Sequence, residues 1–192
     1  WNSYFYMLTG YRGRMVTSFD AVTDDSPYWE FASPADDRKT FVAEGDLQIE
    51  LLGTQKANAN TEIELKNVMK VTVGAAGGLI RYSPNALPLR IDGAPTNKAP
   101  INAISVRMMI PAGAPAAKMF ATVTFNNGPS VRIPNNNSAF LIPDGKFKTY
   151  SANLSANPEF AGKSFDGFTL EPSNLPVDGM EIEFIRMASV SA

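Results

Sequence analysis

The chain contains no cysteine and no histidine, and each absence removes a class of chemistry. Without Cys there is no disulfide, no thiolate nucleophile and no thiolate metal ligand. Without His there is no imidazole base, no Ser–His pair and no imidazole metal centre. Any catalysis would rest on Asp, Glu, Tyr, Lys or Arg. Charge is scarce as well. Seventeen Lys and Arg stand against 19 Asp and Glu, a net charge of −2. Such a balance offers no basic footprint for releasing counterions from phosphates, which argues against nucleic acid as the main partner. No stretch approaches the roughly 20 apolar residues of a membrane span, so a soluble chain without a transmembrane helix is expected. The aromatic start, Trp1 to Leu8, lacks the basic lead, aliphatic core and small-residue cleavage site of a secretory signal; a chain starting at Trp fits one whose leader is gone.

What the sequence does have is turns and short alternating runs. Gly and Pro occur 14 times each among 192 residues, enough to punctuate the chain every few residues. Between them lie period-two segments: Met15 to Phe19, Leu47 to Leu51, Glu62 to Leu65, Val68 to Val73, Ile104 to Ile110 and Met119 to Phe125. The last of these ends at Asn126-Asn127-Gly128. An Asn-Gly pair tolerates positive φ, so a hairpin onto Ser130 to Ile133 is predicted. Further strands are expected at Phe140 to Ile142, Lys146 to Leu154, Phe165 to Leu170 and Met180 to Met187. Helical evidence is confined to short stretches around Asp36 to Arg38 and Ala156 to Ala161. Roughly ten to thirteen short strands predict an all-β, two-sheet antiparallel β-sandwich. Residues 15–192 form its single domain, preceded by an aromatic arm over 1–14.

The order of motifs in the second half carries a resemblance. Asn102 to Met108 is followed by Phe120 to Phe125, Asp144-Gly145-Lys146-Phe147-Lys148-Thr149-Tyr150, Asn157 to Gly162, Gly167 to Pro172 and Asp178 to Arg186. Ser18-Phe19-Asp20, Tyr28-Trp29-Glu30 and Glu44 to Leu47 fit the same order more loosely. This succession resembles the galactose-binding-like, jelly-roll carbohydrate-binding modules found beside polysaccharide-degrading enzymes. The resemblance implies the sandwich fold, an extracellular or cell/virion-surface location, and a polysaccharide or glycan ligand. It also implies a structural calcium between an acidic residue near the first strand and one on the last, here Asp20 and Glu183.

Sugar binding needs flat aromatic surfaces flanked by hydrogen-bonding side chains. Candidates are Trp29, the pair Arg81 and Tyr82 after Gly77-Gly78, which is expected to be a flexible link, Tyr11 with its neighbouring Arg12 and Arg14, and Asn136 in the Asn135-Asn136-Asn137 loop. Each has a competing role in packing or turn chemistry. Tyr28 and Trp29, adjacent on a strand, point to opposite faces, so only one can enter a core. Paired carboxylates occur at Glu62/Glu64 and Glu181/Glu183, but a Glu-x-Asp-x-x-Glu pattern is not met, and no catalytic function is expected. The function expected is a non-catalytic carbohydrate-binding module. The alternative is an assembly subunit, such as a virion decoration or surface filament protein, that contacts neighbouring subunits through the aromatic arm.

Overall fold

The structure is a computed structural model describing residues 28–29, 31, 40–56, 65–82, 103–125, 130–135, 138–154 and 165–188. Every named element among them is a strand: β1 (Tyr28–Trp29), β2 (Phe41–Lys56), β3 (Leu65–Tyr82), β4 (Ala103–Met109), β5 (Phe120–Phe125), β6 (Ser130–Pro134), β7 (Phe147–Asn153), β8 (Phe165–Glu171) and β9 (Val177–Ala188). The expected helical turns, the strand at Met15 to Phe19 and the arm over 1–14 lie outside the described residues.

The strands form two antiparallel layers because β3 belongs to both. Its first half, Met69 to Val73, pairs with β9, whereas Ile80 and Arg81 pair with β8. One layer, sheet I, runs from the end of β3 through β8 and β5 to β6. The other, sheet II, runs from the start of β3 through β9 and β4 to β7. The two halves of β3 and the six strands from β4 to β9 are thus shared four and four. They cross between layers after β4, β6, β7 and β8, which is jelly-roll wiring. β2 lines β3 along its length, and β1 continues the edge of β9 beyond β3. Asn135 bridges to Ala152 and ties the free edge of sheet I to that of sheet II.

The passage of β2 and β3 from one layer to the other is made by glycine. Gly45 and Gly77 take φ of 76° and 72°, and Gly45 lies opposite Gly78 at a register shift. Gly77-Gly78, expected to be a flexible link, therefore lies within strand β3, where Gly78 pairs with Gly45 beside the irregularity at residues 74–77. Another correction concerns Phe140-Leu141-Ile142. It alternates like a strand, yet it pairs with none of the nine. The Leu141 N–H donates to the Ala117 carbonyl and the Ile142 N–H to the Tyr150 hydroxyl, so the segment is an extended loop held by single bonds.

Alternation fills the space between layers. Ile104, Val106 and Met108 of β4, Ala121 and Val123 of β5, and Met180, Ile182 and Ile185 of β9 are all buried. At one end the core is aromatic. Trp29 packs edge-on against Phe41 with centroids 5.5 Å apart, and Tyr82 stacks on Phe168 at 5.7 Å. Burial raises the Tyr82 phenol above its ordinary pKa of 10.0. The folded chain therefore holds that proton more tightly than the unfolded chain. Its stabilisation is complete below the unfolded value and is lost as pH rises through the folded one. Thermal unfolding of the native protein is expected to fall off more steeply above about pH 10 than that of Tyr82→Phe. Identical alkaline slopes would show that the phenol does not titrate against burial.

Candidate functional site

Two of the proposed ligand contacts are core residues. Trp29 is 5% exposed and Tyr82 9%, both inside the aromatic cluster, so neither offers a ring to a ligand. The physical reason is register: Trp29 lies opposite Ile185 and Tyr82 opposite Phe41, both on the inward side. Arg81, one residue from Tyr82, faces outward on sheet I and its Nε donates to Glu44. Tyr11, Asn136 and Asp20 lie outside the described residues.

On the outer face of sheet I, among the side chains described, one ring stands out. Phe120 sits beside Arg132, whose guanidinium lies 3.4 Å from the ring centroid. Arg132 Nε and Nη2 also both donate to Glu171 Oε2, at 3.1 and 2.7 Å. The guanidinium closes the ring from outside, leaving Thr122, Thr169 and the Arg81–Glu44 pair as the polar remainder.

Sheet II is different. Across β7, β4, β9, β3 and β2 the outward positions form two rows. The first is Phe147, Met109, Glu181, Lys70 and Glu50; the second is Thr149, Arg107 and Phe184. A bulge between Arg107 and Met108 lets Glu183 and Phe184 share the outer side although they are consecutive. Arg107 stands 5.7 Å from the Phe147 centroid, and Arg186 5.3 Å from that of Phe184. At those distances the guanidinium groups flank the half-buried rings. Arg107 is itself fixed, since its Nε donates to Glu183 and its Nη1 to the Phe147 carbonyl at 3.5 Å. Strand spacing puts the two rings on the order of 12 Å apart, longer than one sugar ring. Toward the far end of the face, Ser105 is buried and shares a 2.7 Å hydrogen bond with Ser151.

The charges on this face cancel across strands. Glu183 is paired with Arg107, and Glu181 lies in register with Lys70. These are the carboxylates that the sequence offered as a possible catalytic pair and, for Glu183, as a calcium ligand. Glu183 Oε2 is paired with Arg107, and Asp20, the other ligand expected, lies outside the described residues. Among the described residues no three acidic groups come together as a metal site. Glu62 and Glu64 lie outside them.

No family model matches the chain. No curated protein matches it either. Among solved structures it is similar to the CBM22-1 xylan-binding domain of Paenibacillus barcinonensis Xyn10C, at 16% identity over 86% of this chain and 94% of that one, with a TM-score of 0.47. It is similar also to the xylan-binding module CBM15, at 10% identity over 86% and 98% of the two chains, TM-score 0.44. A third is the family 11 carbohydrate-binding module of the cellulase Lic26A-Cel5E of Clostridium thermocellum, at 16% identity over 78% and 86%, TM-score 0.39.

Sequence reasoning missed Phe147, Phe184, Arg107 and Arg186 as surface groups. Arg107 had a visible signal, a lone cation inside the apolar run Ile104 to Ile110. Phe147 stands in the Asp144-to-Tyr150 motif with nothing in the sequence to set it outward. Phe184 could not be placed, because strict alternation puts it on the side opposite Glu183 and only the bulge brings both outward.

Proposed function

We propose that the protein is a non-catalytic carbohydrate-binding module that holds a neutral polysaccharide on the outer face of sheet II. The observation that supports it is the pair of rings, Phe147 and Phe184, set among guanidinium, carboxylate and hydroxyl groups whose charges balance. Such rings offer flat apolar surface to the C–H side of a sugar. Arg186, Lys70, Glu50 and Thr149 are exposed around them and supply donors and acceptors for hydroxyls. The zero balance suits an uncharged polymer, and surface display follows from that ligand.

Affinity electrophoresis against soluble xylan, mixed-linkage glucan and other neutral polysaccharides tests the proposal. Retardation by at least one is expected. Phe147→Ala and Phe184→Ala should each weaken it about tenfold while the thermal midpoint stays near native. Undiminished retardation in both variants would move the site elsewhere. No retardation by any polymer would sink the carbohydrate function.

A further inference from the structure

At one end of the sandwich three loops, residues 110–119, 138–146 and 172–176, meet in a surface whose large exposed side chains are mostly apolar. Phe140 is 60% exposed, Ile142 48% and Leu175 38%, and Ala112, Pro115, Ala116 and Pro176 are exposed beside them. Large apolar side chains concentrated in this way mark contact surfaces.

These side chains are held out by the fold. The Leu141 N–H donates to the Ala117 carbonyl at 2.8 Å, the Asn174 N–H to the Lys118 carbonyl at 3.0 Å, and the Gly145 N–H to the Ile110 carbonyl at 2.9 Å. Leu141 is buried between Phe140 and Ile142, so the extended segment is anchored at its centre while both neighbours face out. Ser138, just before, adopts a φ of 67°, a left-handed conformation that costs energy in a non-glycine residue. The polar side chains of the loops are turned to their own backbone. Asn135 serves Met119 and Ala139, Asn174 serves Lys118, and Ser173 serves Leu175. Such a surface has little with which to recognise sugar hydroxyls.

Its charges are positive. Lys118 sits 5.0 Å from the Phe140 ring centroid, and Lys146 is exposed on the neighbouring turn. Neither forms an ion pair among the described residues. The loops' one acidic side chain, Asp144, is bonded to Lys148. A second copy docked end to end would set these lysines against their own images, whereas an anionic surface would complement them.

We propose that this end docks on a lipid bilayer bearing anionic headgroups, with Phe140, Ile142 and Leu175 entering the interfacial zone and Lys118 and Lys146 meeting phosphates. Apolar insertion and electrostatic attraction add in such docking, and neither alone gives firm attachment. The contact is independent of the sheet II face, so loss of one leaves the other testable.

Co-sedimentation of the full chain with vesicles of phosphatidylcholine mixed with phosphatidylglycerol tests it, with pure phosphatidylcholine as reference. Binding to the mixed vesicles is expected, lowered by added salt. A drop on the order of tenfold is expected for Phe140→Ser/Ile142→Ser, and separately for Lys118→Glu/Lys146→Glu. Thermal midpoints near that of the native protein would show that both variants are folded. Should the apolar pair fail to fold, Leu175→Ser, on a different loop, reads out the same contact. No sedimentation of the native protein, equal binding to both vesicle types, or binding unmoved by the folded variants would overturn the proposal. So would a native mass of two chains that Phe140→Ser returns to one, because the end would then be an interface between copies.

Discussion

Gly78→Ala is expected to lower the stability of the protein by about 3 kcal/mol or more, whereas Gly74→Ala, four residues away in the same strand, should cost about 1. A methyl group at Gly78 would come within 2.5 Å of Leu47 Cβ, 2.6 Å of the Glu44 carbonyl oxygen and 2.9 Å of the Leu47 nitrogen. Two of those atoms are backbone in the paired strand. They can withdraw only if β2 and β3 part at the point where they pass between layers. At Gly74 the obstacle is the Asp46 carboxylate, the far end of an exposed side chain. It can swing aside, losing only its 3.1 Å bond from the Ala76 N–H. For a chain of this size 1 kcal/mol corresponds to a midpoint shift of roughly 2–4 °C. Calorimetry should therefore find Gly78→Ala about 10 °C below native and Gly74→Ala within a few degrees of it. Equal losses would mean that the close approach at Gly78 does not limit the bend.

Removal of the Asn135 side chain should be nearly as damaging, at about 3 kcal/mol for Asn135→Ala. Asn135 is fully buried, and it works at the seam between the layers. Its Oδ1 accepts from the Met119 N–H at 2.9 Å, its Nδ2 donates to the Ala139 carbonyl at 3.1 Å, and its own N–H donates to the Met119 carbonyl at 3.0 Å. Alanine keeps the last of these and orphans the other two groups, one fully buried and one partly so. Asn135→Asp is the sharper probe. It retains the acceptor but sets an oxygen against the Ala139 carbonyl, so the folded state favours the protonated acid. Its stability should therefore recover as pH falls, a trend opposite in sign to acid denaturation of the native chain. If urea titration shows parallel pH profiles for the two proteins, Asn135 Nδ2 is not bonded as described.

These two residues show where sequence reasoning stopped. The alternating runs at 47–51, 68–73, 104–110 and 119–125 carried enough information to place strands and a hairpin, because period two follows from strand geometry alone. Alternation does not say which parity is inward. Tyr82 and Arg81 were grouped as one surface pair, yet adjacent strand residues must part, and the tyrosine went in. Nor does alternation reveal a bulge, and the bulge is what places Phe184 beside Glu183 outside. Gly77-Gly78 carried a real signal, but glycine chosen for close approach and glycine chosen for mobility look alike in one sequence. Asn135 and Asn136 shared one polar run. Only its tertiary partners reveal Asn135 as a buried bridge. Phe140-Leu141-Ile142 misled in the other direction: its pattern arises from one anchor between two exposed side chains, with no strand partner on either side.

The position of β9 has a consequence for the order of folding. It is the last of the nine strands in the chain, yet in sheet II it lies between β3 and β4 and takes register from both. β2 and β3, by contrast, are neighbours in sequence and can zip as a hairpin at small entropic expense. A chain growing from its amino end can therefore form that long hairpin early, but sheet II stays split until residues 177–188 have been synthesised. Up to that moment the facing edges of β3 and β4 are open to any strand that reaches them. Synthesis of β9 thus decides whether this sandwich closes on itself or captures the corresponding strand of a neighbour.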